Sequence, residues 1–141
     1  MTHESVEIVV RAAHIRDVKS LVTLIEPFVA QKILLPRTID ELALLLPNYF
    51  VAEAAGKIVG CAALEIYSSK LAELRSLVVH PDYQHHGVGH KLVSACVERA
   101  REEEVLEVMA ITSAEAFFVS CGFDFTLPGQ KKALFFQTRD T

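Results

Sequence analysis

The chain has 141 residues and a mass of 15.6 kDa, enough for one hydrophobic core and too little for two domains of ordinary size. Apolar residues make up 51% and charged residues 23%, the balance of a folded globular protein and outside the range of disordered chains. With 14 Lys and Arg against 18 Asp and Glu, the net charge of −4 repels a phosphate backbone and argues against a nucleic-acid partner.

The β-branched run Ser5 to Ala12 predicts a first strand. It leads into a helix whose apolar stripe is Ile15, Val18, Val22, Ile25 and Val29, with Pro27 distorting its end. Thr38 with Glu41 three residues on is a capping-box signature opening a second helix, with Leu42, Leu45 and Leu46 on one face and Pro47 closing it. Tyr49 to Ala54 and Lys57 to Ile66 read as strands joined by the turn Ala55-Gly56, and Leu71 to Val79 as a third. From Gly89 a helix follows, apolar at Leu92, Val93, Cys96, Val97 and Ala100. Val105 to Ile111 has the length and content of a strand, and Thr112 with Glu115 predicts a capped short helix that Gly122 stops. Strands Phe123 to Leu127 and Ala133 to Thr138 around Pro128-Gly129 complete the order β-α-α-β-β-β-α-β-α-β-β. The fold class is therefore mixed α/β (α+β), a central sheet flanked by helices in one domain over 1–141.

The longest apolar stretches, Ile58 to Ile66 and Val105 to Ile111, fall far below the roughly 18 residues of a spanning helix. The opening MTHESVEIVV has no basic start before an apolar run, so the expectation is a cytoplasmic protein with no membrane partner. Cys61, Cys96 and Cys121 form no CxxC pair and are odd in number, which speaks against a disulfide framework and a zinc site and for core packing.

The segment LVVHPDYQHHGVGHKLV, residues 77 to 93, carries the most chemistry. Gly87 and Gly89 stand between a strand and a helix, where they leave amide N–H groups uncovered at a positive helix end, an anion site suited to pyrophosphate. The alternative is ordinary turn chemistry. A P-loop is excluded because GxxxxGK[ST] is absent, and a dinucleotide fingerprint because position 92 is Leu. Four histidines, His80, His85, His86 and His90, crowd this turn, but no carboxylate or cysteine joins them at ligand spacing, so no metal is expected.

QHHGVG resembles the [QR]xxGx[GA] coenzyme A signature of the GNAT superfamily of acyl-CoA N-acyltransferases, and the element order is similar to that fold across nearly the whole chain. FFVSCGF resembles a later motif of the family. ILLPR, GCAAL and AELRSLVVHP resemble the acetyltransferase domain of N-acetylglutamate synthases. The resemblance implies acetyl-CoA as co-substrate, with Gln84, His85, His86, Gly87, Val88, Gly89 and His90 at the pyrophosphate, Leu77, Val78 and Val79 pairing with the pantetheine arm, and Phe118 beside it. It implies Glu73 as the base that takes the amine proton, Val78 N–H as polariser of the thioester, and Ser113 or Thr112 as hydroxyl contacts. For Glu73 the alternative is an ion pair with Arg75 or a neighbouring strand.

Many members place a tyrosine acid after the coenzyme loop, where this chain has Phe117 and Phe118. The acceptor is expected to be a small-molecule amine, an amino acid such as glutamate, held by Arg37, Arg75 and Lys132, with Lys70 and Lys131 as further cations. Rival readings are another amine or a protein N-terminus as acceptor, or a non-catalytic coenzyme A sensor. The working unit is expected to be a monomer or homodimer.

Overall fold

Residue 7 to residue 125, Gly129 and residues 132–139 are described by a computed structural model. Five strands form one sheet in the order β1 (Ile8–Ala12), β2 (Tyr49–Ala54), β3 (Lys57–Ile66), β4 (Leu71–Val79), β5 (Glu107–Met109). All neighbours are antiparallel except β4 and β5, which run parallel. Ala55 and Gly56 both take positive φ, 51° and 78°, which makes the tight β2–β3 hairpin read from the sequence. The bounds of β2, β3 and β4 match the sequence reading.

One face of the sheet carries α1 (Val18–Ala30) and α2 (Ile39–Leu45). Their Val18, Leu21, Leu24, Ile25 and Leu42 bury against Tyr49, Val51, Cys61, Ala63 and Val78. The other face receives α3 (Val88–Glu102) through Leu92, Val93, Cys96 and Ala100. At Gly60 the two layers almost touch: a Cβ there would lie 3.1 Å from Leu92 Cδ1, Val88 Cγ1 and the Val78 carbonyl oxygen. A Cβ here would push those neighbours aside by a few tenths of an ångström, so glycine lets α3 sit this close to β3.

The predicted stripe of α1 is corrected by the turn before it. Ile15 to Asp17 form a 3-10 turn, which resets the helical period to begin at Val18. Leu21 and Leu24 are buried where Ile15 and Val29 were expected, and Ile15 is 70% exposed. Pro27 lies inside the helix, which ends at Ala30. That turn is fixed by charge. Arg11 on β1 donates to both oxygens of Asp17, at 2.8 and 3.0 Å, and to Glu53 of β2 at 2.7 Å. The guanidinium, aided by the His14 amide at 2.7 Å, holds the Asp17 carboxyl down at about 2.

The sign follows directly, since the folded carboxyl sits below its unfolded value of 3.8. Its stabilisation is complete above about pH 4 and is lost as pH falls towards 2. Asp17→Asn is therefore expected to cost roughly 2 kcal/mol at neutral pH and to flatten the stability curve between pH 4 and 2. Urea unfolding of both proteins across that range reads the difference.

The α2 capping box forms as expected: Glu41 N–H donates to Thr38 Oγ1 at 3.1 Å and Thr38 N–H to Glu41 Oε1 at 3.3 Å. The second box does not. The short helix α4 (Glu115–Ser120) has Ala114 at its N-cap, and the Thr112 hydroxyl instead accepts from Ala114 N–H at 2.9 Å, closing a local turn. Strand β5 is three residues long rather than the seven predicted. Phe123 to Phe125 and Ala133 to Thr138 are not strands; no ladder partner pairs with them among the described residues, and apolar content without one does not make a strand. Leu127 and Pro128 lie outside the described residues. Residues 1–111 and 112–141 form two compact units.

Candidate active site

Within the first unit, β4 departs from regular pairing twice. Cys61 pairs with Val78 but Ala63 with Arg75, so β4 holds one extra residue, and Ser76 takes φ 54° to accommodate it. The bulge shifts the alternation expected from period two. Glu73, Arg75 and Val78 share the face of α1 and α2, while Leu77 and Val79 turn to the other. Burial pushes the Cys61 thiol up to about 12, against the opposing effect of the nearby Val78 amide. On its far side β4 pairs with β5 only at Leu71, Ala72 and Glu73. Beyond Glu73 the strands part, which leaves the edge of β4 along Arg75 to Val79 without a β5 partner, the edge an extended amide chain needs.

The loop from His80 to Gly87 carries this edge into α3. His80 caps a 3-10 turn through Nδ1, which accepts from Asp82 N–H at 3.1 Å, and Gln84 Nε2 donates to the Val79 carbonyl at 3.2 Å. Gly87 is the N-cap of α3 at φ 79°, ψ 7°, and no side chain caps the helix. The amides of Val88 and Gly89 belong to the first turn, which has no intrahelical acceptor for them. Only one of the two glycines needs left-handed backbone; the other such residue is His85 at φ 67°. His85, His86 and His90 are exposed, whereas the Val88 side chain is buried and its amide alone is placed for a ligand. Among the described residues no three metal-ligating side chains gather.

Where β3 and β4 meet, a hydrogen-bonded set joins four side chains. Arg75 Nη1 donates to Glu65 Oε2 at 2.8 Å. Tyr67, just past the end of β3, donates its hydroxyl to Glu73 Oε1 at 2.6 Å, with Glu65 Oε2 at 3.4 Å. Both Glu73 alternatives from the sequence thus take a different form: Arg75 pairs with Glu65 on the neighbouring strand, and Glu73 accepts from a tyrosine. The carboxylates push the Tyr67 hydroxyl up to about 12, chiefly through the Glu73 hydrogen bond, and Glu65 raises Arg75. Arg37 and Arg75 line one cleft with Tyr49, Glu65 and Ser76. Tyr49 is 4% exposed; burial raises its hydroxyl, and a hydrogen bond with the Ser76 side chain opposes this.

Residues 47–124, more than half of the chain, match the family model of the acetyltransferase (GNAT) domain. The chain belongs to the GNAT acetyltransferases. It is 36% identical over 118 residues to an amino-acid acetyltransferase of Mycobacterium tuberculosis, covering 82% of this chain and 67% of that one. The M. tuberculosis protein Rv2747, solved with coenzyme A, superposes with a TM-score of 0.79 at 34% identity, covering 89% and 76% of the two chains. The N-acetylglutamate synthase of Neisseria gonorrhoeae, solved with coenzyme A and N-acetyl-glutamate, gives 0.74 at 26% identity; 83% of this chain spans only 28% of that one.

In this GNAT acetyltransferase the loop glycines, the strand before them and the two arginines all lie in the first unit, where Arg37 and Arg75 share a cleft. Ser113, Phe118 and Lys132 lie in the second. There Ser113 is exposed ahead of α4, and Phe118 is buried edge-to-face against Phe117 and Phe123, ring centroids 5.2 Å apart in both pairs. Lys132 is exposed outside any element; Lys131 lies outside the described residues. Sequence reasoning passed over Tyr67, Tyr49, Glu65 and Ser76. The available signal was the hairpin register, which sets Glu65 directly opposite Glu73.

Proposed function

We propose that the chain transfers acetyl from acetyl-CoA to the amine of a small amino acid such as glutamate, by direct attack in a ternary complex. The observation that carries this is the convergence of Arg37 and Arg75 in one cleft beside Ser76, at the bulge that opens the edge of β4. The relatives' printed names, amino-acid acetyltransferase and N-acetylglutamate synthase, support the same substrate class.

The loop amides of Val88 and Gly89 hold the pyrophosphate of acetyl-CoA, which supplies an activated thioester when bound. Leu77 to Val79 pair with the amide arm as an added strand would. Glu73 takes the proton from the attacking nitrogen, directly or through a water, and the Val78 N–H draws charge from the thioester carbonyl; as the C–N bond forms the C–S bond breaks, and the coenzyme A thiolate leaves and takes its proton from solvent. The Cys61 sulfur near that amide is a weak acceptor and competes little. Arg37 and Arg75 hold the acceptor's carboxylate; because Arg75 already pairs with Glu65, Arg37 makes the stronger clamp. This reading takes the working place to be the cytoplasm and the working unit to be a monomer or homodimer.

The test replaces Arg37 with Ala and compares glutamate, aspartate, glutamine and lysine as acceptors by thiol release. A charge-assisted hydrogen bond is worth about 1.5 to 3 kcal/mol, so KM for glutamate is expected to rise roughly 10-fold or more with acetyl-CoA affinity little changed. Wild-type turnover of lysine equal to that of glutamate, or an unaltered KM in the variant, removes the amino-acid acceptor. Absence of turnover with every amine leaves the coenzyme A sensor.

A further inference from the structure

We propose that Tyr67 is a positioning residue for the catalytic base, holding the Glu73 carboxylate by its hydroxyl at the junction of β3 and β4. The inference rests on the reading of Glu73 as base. The motif that commonly supplies a tyrosine has Phe117 and Phe118 here, so Tyr67 is a phenol offered from another part of the fold.

The geometry favours a directed bond over a chance contact. Glu73 and Glu65 are register partners on adjacent antiparallel strands, so two like charges face each other across about 5 Å of sheet. Arg75, two residues along β4, satisfies Glu65 at 2.8 Å. Among the described residues no cation forms an ion pair with Glu73 at that range: Arg75 acts on it through space, its register partner on the β5 side is Met109, and its hydrogen-bond donor is the Tyr67 hydroxyl at 2.6 Å. A phenol is the right chemistry there. It donates one strong hydrogen bond to a carboxylate, stays protonated through the working range, and adds no charge that would extinguish the base as a lysine would. Because the hydroxyl also reaches Glu65 at 3.4 Å, it spans the two carboxylates and keeps Glu73 from swinging away from its neighbour's charge. The ring is half exposed, so losing the hydroxyl leaves the core untouched.

A carboxylate that loses the donor holding it no longer keeps its oxygens aimed at the attacking amine. In Tyr67→Phe, kcat is therefore expected to fall about 10-fold at neutral pH, with KM for acetyl-CoA and the melting temperature held. In the Glu73→Gln background the same change is expected to have no further effect, because the group it positions is gone. Measured together, the four proteins separate the outcomes. If Glu73→Gln is inactive while Tyr67→Phe keeps the wild-type kcat, the positioning role is overturned and the base stands. If Glu73→Gln keeps the wild-type rate, the base reading fails and takes this role with it. Equal losses from Tyr67→Phe in both backgrounds overturn the coupling as well.

Discussion

Gly87→Val is expected to weaken acetyl-CoA binding by 10²-fold or more while the protein stays folded. Gly87 sits at φ 79°, and a Cβ built there meets nothing within 4 Å, so the substitution brings no clash. Its effect is conformational. A β-branched residue in left-handed backbone costs about 1 to 3 kcal/mol, and the loop relieves this by rotating the peptide that aims the first amides of α3. Losing two hydrogen bonds to a charged pyrophosphate, each about 1.5 to 3 kcal/mol, sets the factor. Titration calorimetry reads the affinity and circular dichroism the fold; unchanged affinity would show that the anion binds elsewhere.

Glu73→Gln is expected to lower the acetylation rate by about 10²-fold or more at neutral pH and to abolish the acid limb of the rate profile. Gln keeps an acceptor for the Tyr67 hydroxyl, so the local hydrogen bond survives and only proton uptake is lost. Steady-state kinetics across pH decide it: a retained rate returns Glu73 to a cross-strand packing role.

Much of this architecture is legible in the chain because it rests on local rules. The β2–β3 turn needs positive φ at two positions, and Ala55-Gly56 announces one of them. Thr38 and Glu41 announce a helix start because both halves of the capping box lie within four residues. The loop into α3 is legible for the same reason, with Gly87 in left-handed backbone at the helix start. What escaped depends on contacts far apart in sequence. The register of α1 is set by Arg11 reaching Asp17 and Glu53, the latter 42 residues away. The face of Val78 is set by an extra residue at Ser76, and nothing in a run of alternating side chains reveals a bulge in advance. Tyr67 meets Glu73 only once the β3–β4 hairpin closes. The last predicted strands had apolar content but no assured partner.

Gly60 ties the two halves of the site into one rigid gauge. Its missing methyl lets Val88, the first residue of α3, rest on the same strand whose neighbour Cys61 faces Val78 across the bulge. The amides proposed to grip the phosphates and the amide proposed to grip the acyl oxygen therefore share one mechanical reference, and a Cβ at position 60 would make its neighbours give by a few tenths of an ångström. The arm of an acyl-CoA between those two groups is a chain of rotatable single bonds, so the spacing is kept by the protein: a hydrogen atom, where another residue would place a carbon, helps to set it.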